Sequence, residues 1–171
     1  MKVRAETPED FDAIQDVNDA AFGGTDESTL IHRLREDGLI IVSLVAVEYG
    51  EIVANIVFSD LKVVSNDGKR QIKAASLAPM AVAPTHQRQG IGSELIRQGL
   101  EICRENGIEA VVVVGHTDYY PRFGFSAYLA ENLKSPFSGQ NCMILPLKQG
   151  ILDDFVGNLI YPHAFGAFED Q

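Results

Sequence analysis

The 171 residues are enough for one domain with a core of its own, and their 46% hydrophobic content is that of a globular protein. The balance of 14 basic to 24 acidic residues, a formal net charge of -10, argues against a nucleic-acid backbone as partner, since phosphate neutralisation needs clustered Lys and Arg. No apolar run approaches the roughly 20 residues of a membrane helix and the opening MKVRAETPEDF has no signal-peptide core, so a cytoplasmic protein without membrane association is expected.

Residues 2–5 read as a short strand. Thr7-Pro8-Glu9-Asp10 then supplies an N-cap, a first-turn proline and two first-turn acids for a helix running to about Phe22. After Gly23-Gly24, Asp26-Glu27-Ser28 opens a second short helix, with Leu30, Ile31 and Leu34 at helical spacing and Gly38 to stop it. Residues 39–83 read as three strands separated by the turn signals Tyr49-Gly50 and Asn66-Asp67-Gly68-Lys69, and such short connections imply an antiparallel meander.

The run SELIRQGLEICREN places Leu95, Ile96, Leu100 and Cys103 on one helical face and ends at Gly107. EAVVVVG follows as a continuous β-branched run suited to a strand buried on both faces, so strand, helix and strand form a parallel crossover. From His116 to Tyr128 the pattern is a loop with one short helix. A strand follows near Asn141 to Leu147, then an irregular tail containing YPHAF. No repeat or linker marks a second domain, so residues 1–171 read as a single domain with about 150–171 as a C-terminal extension. The fold class is α/β (α+β), antiparallel in its first half and parallel in its second. Cys103 and Cys142 each sit among apolar neighbours and read as small core residues.

Between the third strand of the meander and the long helix stands Gln87-Arg88-Gln89-Gly90-Ile91-Gly92. A helix N-terminus presents unpaired N–H groups and the positive end of a dipole, and glycines let an anion come close to the backbone. A P-loop is excluded because no Gly-Lys-Ser/Thr follows, and the dinucleotide fingerprint is excluded because its third glycine would fall at Leu95. A plain strand-to-helix turn also uses glycine, and the pair alone leaves both readings open.

The wider stretch MAVAPTHQRQGIGSELIRQGLE resembles the acetyl-CoA signature of the GNAT (N-acetyltransferase) superfamily, Gln/Arg-x-x-Gly-x-Gly/Ala, with Gln87, Gly90 and Gly92 in the three positions. AAFGG near the start, VVGHTDYYPRFGF and the YPHAF tail extend the likeness to the bacterial YhbS-type branch, so that most of the chain is covered. The resemblance implies the GNAT fold, a mixed central sheet with helices on both faces. It implies acetyl-CoA as co-substrate, its pyrophosphate held by the backbone of Gln87, Arg88, Gln89, Gly90, Ile91, Gly92 and Ser93, with Arg88 as charge partner. The strand residues Met80, Ala81 and Val82 would pair their backbone with the pantetheine arm. Pro84, which has no N–H, suits the end of that strand.

Acetyl transfer from a thioester to an amine needs a neutral nitrogen, donors for the developing oxyanion and a proton for the departing thiolate. Presenting a lysine amine in neutral form at pH 7 costs roughly 4–5 kcal/mol, an α-amine only about 1. Tyr120 stands in Tyr-Pro-Arg-Phe-Gly-Phe, matching the arrangement in which GNAT enzymes commonly place the tyrosine that protonates the thiolate; Tyr119 is its competitor. Read without the resemblance, the two are packed aromatics beside Phe123 and Phe125.

The base is less visible. Glu48, Glu51 and Asp60 lie on or near strands but in no motif, and His116, at the carboxyl end of the parallel strand, is the candidate base beside the plainer reading of a loop histidine. His32, His86 and His163 read as surface or packing residues. No His, Cys or carboxylate cluster has metal-ligand spacing, and no metal is expected.

The function implied is an acyl-CoA-dependent N-acetyltransferase acting on a small-molecule or peptide amine by direct attack in a ternary complex. The alternative from another class is a non-catalytic acyl-CoA-binding or regulatory module. GNAT proteins are often dimers, and a homodimer is compatible with the resemblance.

Overall fold

In the computed structural model, which describes residues 1–168, the elements run in the order β1 (Lys2–Ala5), α1 (Phe11–Phe22), α2 (Asp26–Glu36), β2 (Ile40–Glu48), β3 (Glu51–Ser65), β4 (Gln71–Val82), α3 (Ile91–Glu105), β5 (Ala110–Val114), β6 (Leu133–Lys134), β7 (Cys142–Pro146) and β8 (Gly157–Ile160). The strands hydrogen-bond in the order β1-β2-β3-β4-β5-β7, with β8 beside β3 and β6 beside β8. The first pairs, β1 with β2 and β2 with β3, are antiparallel, and β4 pairs β5 in parallel across the α3 connection, as the element pattern predicts. The chain divides into two compact units, residues 1–59 with 77–102, and residues 60–76 with 103 onward.

In the first unit, strand alternation sends neighbouring residues of β3 to opposite faces. Val57 packs with Val45, Ile14 of α1 and Ile31 of α2, whereas Phe58 meets Gly99 of α3. Helices therefore cover both faces here. The predicted face of α3 is the buried one: Leu95 and Ile96 are wholly inaccessible, each burial stabilising by about 1.5–3 kcal/mol. The helix foreseen from Thr7 starts as a 3₁₀ turn, Pro8–Asp10, before α1 takes over. Asp10 holds this start: its carboxylate accepts the Thr7 N–H at 2.7 Å and the Arg4 guanidinium at 2.6 and 3.0 Å.

A buried polar tie, not foreseen from the sequence, joins α1 to the sheet. Asn18 Nδ2 donates to Ile14 O at 2.9 Å and to Asn55 Oδ1 at 3.2 Å, while Asn55 Nδ2 donates to Leu44 O at 3.0 Å and to Ser43 Oγ at 3.3 Å.

In the second unit β4 pairs β5 over Ala74, Ala75 and Ser76, and β7 runs antiparallel to β5 from Cys142 to Pro146. Ile72, Val112, Ile144, Phe155 and Leu159 build its core together with Cys142, and Cys103 is equally buried. The tail expected to be irregular is ordered as far as it is described, to Phe168; its residues 169–171 lie outside the described residues. β8 pairs antiparallel with the second half of β3 and parallel with β6, itself a strand that the sequence did not reveal. Tyr161 then stacks edgewise on Phe137 and Phe165, at 4.8 and 5.1 Å between ring centroids, and His163–Phe168 forms a 3₁₀ helix. Tertiary pairing overrides a weak local signal in this segment. Among the described residues no helix is long and apolar enough to cross a membrane.

Candidate active site

The glycine-bearing loop belongs to the first unit and closes a continuous strand, loop and helix. Beyond its ladder with β5, strand β4 runs on through Met80, Ala81 and Val82. It is held there by the Ala83 N–H donating to Val53 O at 2.8 Å, and Pro84 starts a 3₁₀ turn. The Gln87 side-chain amide then reaches back and donates to the carbonyl of Val82 at 3.0 Å. The Gln of the motif thus fastens the loop to the strand.

Two loop residues take the left-handed conformation, Arg88 at φ 64° and Gly90 at φ 82°. For arginine this costs on the order of 1–2 kcal/mol, a strain the local fold must maintain. Left-handed residues in such a turn direct neighbouring N–H groups into one concavity, a shape suited to anions. Helix α3 follows at once: its first backbone bond runs from Glu94 N–H to Gly90 O at 3.1 Å, which puts Ile91, Gly92 and Ser93 in the opening turn, at the positive end of the dipole. Arg88, Gln89 and Gly90 are exposed, and a Cβ built at Gly90 meets no atom within 4 Å. An exposed cation beside a helix N-terminus, with open space above the glycine, leaves room for an anion at this turn.

His86 is bound on both ring nitrogens, Nδ1 2.9 Å from Thr85 Oγ1 and Nε2 3.2 Å from Glu48 Oε2, in line with a packing role. Glu48 is accordingly the partner of this histidine ring. Glu51 lines an open cavity of about 550 Å³ with Glu9, Asp16 and the Arg4–Asp10 pair. Asp60 is half-buried near the middle of β3.

The tyrosine-bearing loop belongs to the second unit. At the end of β5 the Gly115 N–H donates to Asn141 O at 3.0 Å, and the carbonyl of His116 accepts from the N–H groups of Tyr119 and Tyr120, both at 3.3 Å. The short helix foreseen in this loop is a 3₁₀ turn, Tyr120–Phe123, ended by Gly124 at φ 98°. Tyr120 is only 9% exposed and meets Tyr119 and Phe125 edge-on, at 5.1 and 5.8 Å between centroids. Burial, with a smaller contribution from Tyr119, pushes its pKa up to about 12, so the phenol stays protonated at neutral pH. Tyr119 is half-buried, with the Arg122 guanidinium 5.7 Å from its ring centre, and the side chain of His116 is exposed.

The sequence reading missed the closeness of Gly115 to Tyr120. A Cβ at Gly115 would lie 2.5 Å from Tyr120 Cε2. The available signal was a glycine ending an unbroken valine run just before the aromatic loop. Among the described residues no group of three His, Cys, Asp or Glu side chains could hold a metal ion.

The family model described as Acetyltransferase (GNAT) domain matches residues 2–128. Over 171 residues the chain is 30% identical to the uncharacterized N-acetyltransferase YhbS of Escherichia coli, with 98% of this chain and 100% of that protein covered. The solved structure of Escherichia coli YhbS in complex with CoA is similar at a TM-score of 0.87 and 28% identity, covering 96% of this chain and 91% of that one. A GNAT family acetyltransferase from Brucella melitensis, in complex with acetyl-CoA, is similar at a TM-score of 0.78 and 31% identity, covering 96% and 97%.

Proposed function

The chain belongs to the GNAT acetyltransferase family, and from that premise we propose that it moves an acetyl group from acetyl-CoA to a primary amine of a small molecule or peptide, by direct attack in a ternary complex. The reading takes residues 1–171 as one acetyltransferase domain. The observation that carries it is the loop in which Arg88 and Gly90 are left-handed, Gln87 is tied to Val82 and helix α3 begins. The CoA and acetyl-CoA bound by the Escherichia coli and Brucella melitensis relatives support the same assignment.

In this reading the amides of residues 87–93 and the guanidinium of Arg88 hold the pyrophosphate, at the end of the helix where negative charge is stabilised. Met80, Ala81 and Val82 offer backbone groups to the amides of the pantetheine arm, as an edge strand does. Acetyl-CoA supplies the acetyl thioester. Tyr120 donates its phenolic proton to the departing sulfur, a task for which burial keeps it protonated. The attacking amine must shed a proton in turn, and exposed His116 is the candidate acceptor, directly or through water.

The experiment is thiol release from acetyl-CoA in the presence of a panel of amines, with Tyr120→Phe as control. Amine-dependent release that the variant lowers, with acetyl-CoA affinity kept, supports the reading. Tight acetyl-CoA binding with no release against any amine would point to the non-catalytic binding module instead.

A further inference from the structure

We propose that Gly115 is a positioning residue for Tyr120: the missing side chain at the end of β5 is what lets the tyrosine ring take its seat. The inference rests on the reading of Tyr120 as proton donor and extends it to a residue that has no side chain of its own.

A glycine can be required for its backbone conformation or for its size. At Gly115 the φ angle lies outside the left-handed region, so any residue could adopt the backbone. Size is therefore the reason. A Cβ there would fall 2.5 Å from Tyr120 Cε2 and 3.0 Å from Cδ2, closer than carbon atoms pack, so either the backbone or the ring would have to move.

Neither is free to yield. The backbone is fixed by the Gly115 N–H bond to Asn141 O at 3.0 Å, and the Tyr120 backbone by its N–H bond to His116 O at 3.3 Å. The ring is confined by the edge contacts to Tyr119 and Phe125 and is nearly excluded from solvent. A methyl at Gly115 must then turn or tilt the ring, and the hydroxyl, at the far end of that lever, moves most. Misplacing a catalytic group by about 1 Å can cost roughly 100-fold in rate.

The test is a double-mutant cycle on turnover, with Gly115→Ala, Tyr120→Phe and the combined variant assayed against acetyl-CoA and an amine that the enzyme accepts. The expected result is that Gly115→Ala lowers kcat roughly 10- to 100-fold while KM for acetyl-CoA stays within about twofold, and that the double variant is no slower than Tyr120→Phe alone. Losses that multiply in the double variant would overturn the proposal, as would a Gly115→Ala enzyme with wild-type kcat beside an impaired Tyr120→Phe. An unimpaired Tyr120→Phe would overturn the proton-donor reading itself. Should Gly115→Ala fail to fold, adding Tyr120→Ala must restore folding by removing the ring; failure to restore it would also refute the assignment.

Discussion

The side chain of Gln87 donates to the main-chain carbonyl of Val82 at 3.0 Å, so the residue opening the glycine-bearing loop is bonded to the last residue of the strand before it. A single such bond contributes on the order of 1 kcal/mol. Gln87→Ala should therefore raise KM for acetyl-CoA about 5-fold and leave kcat nearly unchanged, because the loop loses its tie while the reacting groups keep theirs. Steady-state kinetics at varied acetyl-CoA check this.

Gly99, in the middle of α3, lies against Phe58 of β3. A Cβ there would overlap Phe58 Cε2 and sit 2.8 Å from Cζ. Helix propensity alone favours Gly99→Ala by about 1 kcal/mol, yet the close packing should reverse the sign and destabilise by about 1–3 kcal/mol. Chemical denaturation of Gly99→Ala, with Phe58→Leu added to open the space, measures both the loss and its recovery.

The Arg4–Asp10 pair predicts a pH dependence. Hydrogen bonds from Arg4 hold the Asp10 carboxyl down at about 2, below its ordinary 3.8. A carboxylate with a depressed folded-state pKa contributes stability that is present above the unfolded value and lost as pH falls through the folded one. The stability difference between the unaltered protein and Asp10→Asn should be constant above about pH 4 and shrink between there and about 2, as read from urea melts across that range.

Tyr120 carries a second pH prediction. With its pKa raised to about 12 from an ordinary 10.0, the phenol remains a donor well into the alkaline range, and the folded state resists its ionisation. The kcat profile should show no alkaline fall near pH 10 of the kind an exposed tyrosine acid would give. A descending limb centred there in the unaltered enzyme and missing from Tyr120→Phe would contradict the burial of this group.

The strand, loop and helix around the glycine motif could be read in advance because their signals are local. The Gln87, Gly90 and Gly92 spacing, the Pro84 strand end and the apolar face of Leu95, Ile96, Leu100 and Cys103 are written within a few residues of one another, and local periodicity survives folding. What was not legible depends on partners far away in sequence. β8 is four residues long and is defined by Lys62 to Ser65 of β3 and by the two residues of β6. Its one sequence mark is Gly157, at which a Cβ would strike the Val64 carbonyl, a close backbone approach that only glycine permits. The Asn18–Asn55 bond spans 37 positions, and a polar residue on an otherwise apolar face does not announce its partner. The Tyr120 loop lies between: its aromatic cluster is visible, but not that Gly115 makes room for it.

Whether the loop at Arg88 and Gly90 holds the pyrophosphate of acetyl-CoA is decided by calorimetric titration with acetyl-CoA and CoA, using the unaltered protein beside Gly90→Val. Valine at φ 82° costs on the order of 1–3 kcal/mol in stability and fills the open space above the loop. Micromolar binding that Gly90→Val loses while remaining folded is the predicted result. Absence of binding in the unaltered protein, or equal affinity in the two, would mean that this loop does not hold the pyrophosphate.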